Sequence, residues 1–385
     1  MRKLLITLPV LVISFCACSQ KQQEEPQTKT VKKQEVSYDT KGHLFTLKDF
    51  HTSNSDLDKK VEEYFAKLDD TSKVAQVIMP AMGRLGQPTE TIFRLVRERK
   101  IGGILMLNGT KEQFKSWIDS INYINQQLGV PAFLYSADAE PSLINRKITG
   151  SAPVKKANEL QTIEEVRECA KTISEELKAI GINYNFAPVV DMSPNKTVGW
   201  RSFGAVPENI IPWSAAFIQT SQENGIIATA KHFPGHGLVS GDTHKSLQSI
   251  DGELKEIQNY PPLIKDGVLS IMVGHLAVVN NPDYNTSGLP ATLSKKIVTE
   301  LLRKEMKFNG IVVTDALNMG GVASVPNCDV KAIEAGCDIA LMPVNTDKAF
   351  KDILAKYQSD STFKVQMDAS VKRIIRMKIC LGILK

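Results

Sequence analysis

The residues with the most chemistry in them lie together at positions 231–244, KHFPGHGLVSGDTH. Three of the chain's six histidines fall here, His232, His236 and His244, beside Lys231 and Asp242. Pro234 and the three glycines of the stretch exclude a helix, so it reads as a long loop. A histidine titrates near pH ~6.5, so one held by a carboxylate can give up a proton and take one back at neutral pH. Three histidines and an aspartate are also the donors of a zinc site, yet Lys231 adjoins them and neither HExxH nor a cysteine pair accompanies them. No metal and no cofactor is expected.

Further polar residues follow short apolar runs. Asp138 comes after LYSA, Asp191 after APVV, Lys231 and His232 after IATA, His275 after MVG, and Asp315 after VVT. A lone Asp in such a place reads as a cap or a satisfied core group. Five sets in register after five different strands instead mark one end of a β/α scaffold, where a barrel builds its active site.

The elements that must position them alternate. Apolar runs at 77–79, 101–107, 132–136, 184–190, 226–230, 269–273, 310–314 and 338–342 read as strands, and their near-continuous hydrophobicity suits a parallel sheet covered by helices. Between them lie helical patterns. Thr162 to Glu165 is a capping box, Ile163, Val166, Ala170, Ile173 and Leu177 line one face, and Gly181 stops the helix. A second helix is predicted over 294–308 and a third over 363–383. Eight strands predict a (β/α)8 TIM-like barrel in a single domain, residues 45–385. A doubly wound open sheet is the competitor, but no strand is followed by GxGxxG.

Composition narrows the rest. The 385 residues carry 47 Lys plus Arg against 42 Asp plus Glu, and 42% are hydrophobic. That excludes disorder and collagen, and a net charge of +5 spread evenly gives no footprint for nucleic acid. Arg2 and Lys3 precede an apolar run of about a dozen residues, too short to span a bilayer, which takes about 20. Residues 1–17 therefore read as a signal peptide, and Cys18 after Ala17 resembles the lipidated cysteine of a bacterial lipobox. A plain cleaved signal or an uncleaved anchor is the alternative. Residues 18–44, rich in Gln, Lys, Glu and Thr, read as a flexible tether. The expected place is the bacterial cell envelope, periplasmic or outer-membrane associated, with the protein lipid-anchored and monomeric. Cys169, Cys328, Cys337 and Cys380 are expected as buried thiols, with a Cys328–Cys337 bridge as the competing reading.

KHFPGHG followed by DTH resembles the signature loop of the glycoside hydrolase family 3 β-N-acetylglucosaminidases of the single-domain type. The likeness extends over most of residues 50–385, through NFAPVVD at 185–191, RSFG at 201–204 and VTDALNM at 313–319. It implies a retaining exo-glycosidase that removes terminal β-linked N-acetylglucosamine from glycans or peptidoglycan fragments. Asp315 would be the nucleophile, and His244 oriented by Asp242 the acid/base. Asp138, Arg146, Arg201, Lys231 and His232 would bind the sugar. Structural ion pairing of Arg201 and Lys231 with Asp191 is the competing reading. Many members of the family draw their acid/base glutamate from a further α/β domain. Here the barrel fills residues 45–385, so the proton is expected from its own loop. Glu140-Pro141-Ser142 stands where the family usually has Glu-Gly-Gly, so the loop after Asp138 should differ locally. A glycoside phosphorylase and a non-catalytic glycan-binding lipoprotein are the rival functions.

Overall fold

The computed structural model describes residues 44–384. The expected signal peptide, Cys18 and the expected tether up to residue 43 lie outside the described residues. All eight predicted apolar runs contain strands, and every pairing among them is parallel. Seven strands form one sheet in the spatial order Ile311–Thr314, Ser270–Val273, Ile227–Phe233, Tyr184–Asn185, Leu134–Ala137, Gly103–Met106, Ala81–Met82. Each strand lies beside its neighbour in sequence, with a helix in the intervening connection, which is the right pattern for a curled parallel α/β sheet of the half-barrel kind. Ile78–Met79 pairs separately with Ala340–Leu341. A single bridge joins Val313 to Ile339.

Burial explains why these runs are strands without polar alternation. Every residue of Gly103–Met106, Ile227–Phe233, Ser270–Val273 and Ile311–Thr314 is buried. The helix Ile163–Ile180 starts where Thr162 accepts the Glu165 N–H at 3.2 Å. It ends at Gly181, whose φ of 97° takes the left-handed turn that a side chain would oppose. There the N–H of Ile182 reaches the Leu177 carbonyl at 2.9 Å and that of Gly181 the Lys178 carbonyl at 3.0 Å, a Schellman closure. The Glu165 carboxylate does not return to Thr162 as a capping box requires. It accepts the Gln161 N–H at 2.8 Å and pairs with Lys155 at 2.5 Å.

Three details differ from the sequence reading. The strand at 227 runs on through Lys231 and His232 to Phe233, so the loop begins at Pro234. The helix carrying Ile297 and Leu301 is wound as a wider π-helix over Lys296–Glu305. The run at 184–190 keeps strand pairing only at Tyr184–Asn185, with Val189 making single bridges to Lys231 and Ser202. Cys169, Cys328, Cys337 and Cys380 are buried and free, so no Cys328–Cys337 bridge forms.

Candidate active site

The polar residues that follow the strands gather at the C-terminal edge of the sheet in two groups. The first is an ion cluster. Glu140 is fully buried and binds Arg201 through two parallel bonds, Nε to Oε2 at 2.7 Å and Nη2 to Oε1 at 2.6 Å. The same carboxylate meets the Lys231 ammonium at 2.5 Å, and Lys231 also reaches Asp138 at 3.1 Å. Lys147 closes the far side of Asp138 at 3.6 Å. Burial would push both carboxyls up, but Lys231, Arg201 and, for Asp138, Lys147 outweigh it and hold them below the usual carboxylate range. Burial pulls Lys231 and Arg201 down, and the two carboxylates more than reverse it.

Arg201 and Lys231 thus pair with Glu140 and Asp138, and the expected alternative partner, Asp191, is occupied elsewhere. Asp191 accepts from His232 Nδ1 at 2.6 Å and from the backbone N–H groups of His232 and His236 at 3.1 and 2.9 Å. Burial raises the Asp191 carboxyl, and His232 reverses that, so it stays ionised and fixes the ring with Nδ1–H donating. The Lys231–His232 peptide is cis, as are Ala187–Pro188 and Phe233–Pro234.

The second group surrounds Asp315. Its backbone N–H bonds the Val273 carbonyl at 2.9 Å, and its Oδ1 accepts the Ala316 N–H at 2.8 Å. Burial again pushes the carboxyl up, while His232, His275 and the Ala316 N–H bring it below its ordinary value. His275 is fully buried, with Nε2 donating to the Ala316 carbonyl at 2.9 Å and Nδ1 facing the Thr292 hydroxyl at 2.8 Å. Burial pushes the His275 ring down. It therefore clamps the turn that aims Asp315.

His244 and Asp242 do meet. The Asp242 Oδ1 accepts both the His244 backbone N–H at 3.0 Å and its Nδ1–H at 2.9 Å, leaving Nε2 for other partners. The His244 side chain is 61% exposed, against 30% for Asp242. Its loop is nonetheless tied to the turn after Asp315. Gly320 N–H donates to the His244 carbonyl and Gly321 N–H to the Thr243 carbonyl, both at 3.0 Å. Gly320 has to be glycine for this approach, since a Cβ there would lie 2.3 Å from the Lys245 carbonyl oxygen. Asn195 supports the other side of the loop, its amide donating to the carbonyls of Val239 and of Gly241, the latter at 3.1 Å. Glu256, also buried, is pushed up to about 7 by burial and by Asp191.

One predicted residue stands apart. Arg146 is exposed with its guanidinium 5.8 Å from the Trp200 ring centroid, and Lys147 rather than Arg146 reaches Asp138. Nearby, at the position where the resemblance leads one to expect glycine, the Ser142 hydroxyl donates to the Trp200 carbonyl at 3.0 Å and accepts the Ala157 N–H at 2.9 Å. Glu140 and Lys147 were not among the candidates. The signal for Glu140 was its place two residues after Asp138, which in extended chain puts two carboxylates on one face. Among the described residues no three His, Cys, Asp or Glu side chains gather to hold a metal ion.

A curled parallel α/β sheet with an aspartate, a His-Asp pair and a buried ion cluster at its C-terminal edge defines the class, an α/β scaffold built for polar-ligand chemistry. Residues 69–377 match the glycosyl hydrolase family 3 N-terminal domain. The chain belongs to glycoside hydrolase family 3, as the motifs had implied. It is 32% identical over 242 residues to the β-N-acetylglucosaminidase/β-glucosidase of Cellulomonas fimi, a match covering 57% of this chain and 42% of that protein. With the β-hexosaminidase of Methylobacillus flagellatus it shares 29% identity over 294 residues, 71% of this chain and 81% of the relative. It superposes on the family 3 β-N-acetylglucosaminidase structure from Paenibacillus sp. str. FPU-7 with a TM-score of 0.76 at 29% identity, covering 82% of this chain and 63% of that one. The chain thus spans less than half of the first of these relatives and about four fifths of the second.

Proposed function

We propose that this protein is a retaining exo-β-N-acetylglucosaminidase. The observation that carries the reading is the Asp242–His244 contact at 2.9 Å on a loop hydrogen-bonded to the turn that follows Asp315. In the first step an Asp315 carboxylate oxygen attacks the anomeric carbon, the bond to the leaving oxygen breaks, and protonated His244 gives that oxygen the proton on Nε2. In the second, His244 Nε2 takes a proton from water, the water oxygen bonds to the anomeric carbon, and Asp315 leaves as carboxylate. Asp242 keeps the ring in the orientation that makes Nε2 the working atom. Asp138, Lys231, Arg201 and His232 present charged and polar groups to the hydroxyls and N-acetyl group of the sugar, with Arg146 and Trp200 at the rim.

The test is hydrolysis of a chromogenic β-N-acetylglucosaminide by wild type and Asp315→Ala. We expect a loss of at least about 10³-fold in the variant, and equal rates would sink the assignment. Running the assay with and without inorganic phosphate separates the hydrolase from a phosphorylase, which would yield a sugar 1-phosphate.

We propose the remaining expectations on the same footing. The sheet is taken to close as an eightfold barrel, a reading supported by the Ile78–Met79 pairing with Ala340–Leu341 and by the Val313–Ile339 bridge. Peptidoglycan fragments are the natural substrate, and a lipid on Cys18 holds the monomeric enzyme in the cell envelope. Labelling with a radioactive fatty acid should mark the wild type and not Cys18→Ser.

A further inference from the structure

We infer that Glu256 is a positioning residue for the acid/base loop, acting through the backbone that carries Asp242 and His244. The inference rests on the proposed roles of those two residues.

Glu256 lies in the short 3-10 turn Lys255–Asn259 and is 3% exposed. Its three hydrogen bonds all come from main-chain N–H groups. Oε1 accepts from Met192 at 2.7 Å and from Gly237 at 3.1 Å, and Oε2 accepts from Leu238 at 3.0 Å. Those donors belong to two separate segments. Met192 directly follows Asp191, which orients His232, while Gly237 and Leu238 begin the stretch that ends in Asp242 and His244. One carboxylate therefore ties the acid/base loop to the segment behind the sugar-binding histidine.

Contact between the two segments is close. A Cβ at Gly237 would lie 1.8 Å from the Met192 carbonyl oxygen, and the Asn195 N–H donates to the Gly237 carbonyl at 2.8 Å. Because these segments meet through backbone, their spacing is set by whatever gathers their N–H groups. A carboxylate is suited to this, since both of its oxygens accept. A glutamine of the same shape offers one accepting oxygen and turns an NH2 toward backbone donors.

The consequence falls on proton transfer. His244 is largely exposed and is aimed by its loop, so a small displacement degrades general acid catalysis more than it degrades sugar binding. Loss of Glu256 should therefore act selectively on substrates whose leaving group needs a proton. N,N'-diacetylchitobiose is such a substrate, and a 2,4-dinitrophenyl β-N-acetylglucosaminide is not.

The experiment measures kcat/KM on both compounds for wild type, His244→Ala, Glu256→Gln and Glu256→Asp. For His244→Ala we expect about a 10²-fold loss on the disaccharide and less than about fivefold on the dinitrophenyl glycoside. Glu256→Gln should follow the same pattern with a loss of about tenfold or more on the disaccharide. Glu256→Asp, which keeps two carboxyl oxygens as acceptors, should recover part of that loss. Retained activity on the dinitrophenyl glycoside reports that the variant is folded. If Glu256→Gln does not yield folded protein, Glu256→Asp carries the comparison, with a loss on the disaccharide at least about threefold greater expected. Equal losses on the two compounds, or no loss on either, would overturn the role of Glu256. A wild type inactive on both would overturn the hydrolase reading beneath it.

Discussion

Replacing Glu140 by Gln tests whether the ion cluster is built as a unit. Glu140 is 0% exposed, against 1% for Lys231 and 11% for the Arg201 side chain, so solvent screens the cluster little. Glutamine fills the same volume but accepts through one oxygen, and its NH2 must face either the guanidinium or the ammonium. Two buried cations would then share Asp138 alone. Breaking one partner out of such a buried pair costs about 3–5 kcal/mol. Unfolding entropy of about 2.1 cal/mol/K per residue, over roughly 340 residues, is about 0.7 kcal/mol/K, so the melting temperature should fall by about 4–7 °C. Activity should suffer as well, because Lys231 and Arg201 would be drawn to Asp138 and away from substrate. We expect kcat/KM on a β-N-acetylglucosaminide to drop at least about tenfold, mainly through KM. Calorimetry and steady-state kinetics on Glu140→Gln, Arg201→Met and the double variant give a complete cycle. A coupling of at least about 1.5 kcal/mol is expected between the two positions. Additive effects, or a melting temperature within about 1 °C of wild type, would refute the reasoning.

Two further outcomes follow from the same geometry. Lys147→Ala should raise KM more than Arg146→Ala, because Lys147 faces Asp138 at 3.6 Å while Arg146 lies exposed over Trp200; the reverse order in steady-state assays would mean that Arg146 swings in on binding. Lys378 is fully buried, among the described residues bonded to the Gln76 side chain at 2.7 Å and the Gly102 carbonyl at 3.1 Å, and burial pulls it down from 10.5 to about 7. The unfolded chain then binds more protons than the native one above pH ~7, so stability should rise by about 2 kcal/mol from pH ~7 to ~9, a slope that denaturant titrations should find flattened in Lys378→Met.

The strands were legible because burial on both faces leaves long apolar runs, and the gathering of polar residues at one edge was legible because they break those runs at one end. What the sequence could not convey was partnership. Asp138, Asp191 and Glu140 are equally plausible mates for Lys231 and Arg201 when only spacing is known, and the choice depends on which strand ends sit side by side. The end of the strand at Phe233 was obscured for a related reason. Lys231 and His232 read as loop residues, yet each finds a carboxylate at the sheet edge and is buried as part of the strand. Arg146 and Lys147 illustrate the opposite limit. They are adjacent in sequence, and the family motif points to the first, but the short helical turn Ile144–Lys147 directs only the second toward Asp138.

The distribution of charge within the candidate site bears on why the proposed nucleophile, Asp315, is where it is. Lys231, Arg201 and Lys147 are matched against Asp138 and Glu140. Asp315 is instead surrounded by histidines and a backbone N–H, which hold its carboxyl below the usual range without a fixed ion pair. In the proposed reaction Asp315 passes from an anion to a neutral ester. A permanent cation bonded to it would stabilise the starting carboxylate more than the transition state and so slow the first step. A histidine such as His275, whose Nε2–H is already committed to the Ala316 carbonyl, imposes no such penalty. On the proposed roles, keeping the cations on Asp138 and Glu140 and only histidines beside Asp315 would let the site hold a sugar with buried charge while the attacking carboxylate stays ionised and free to react.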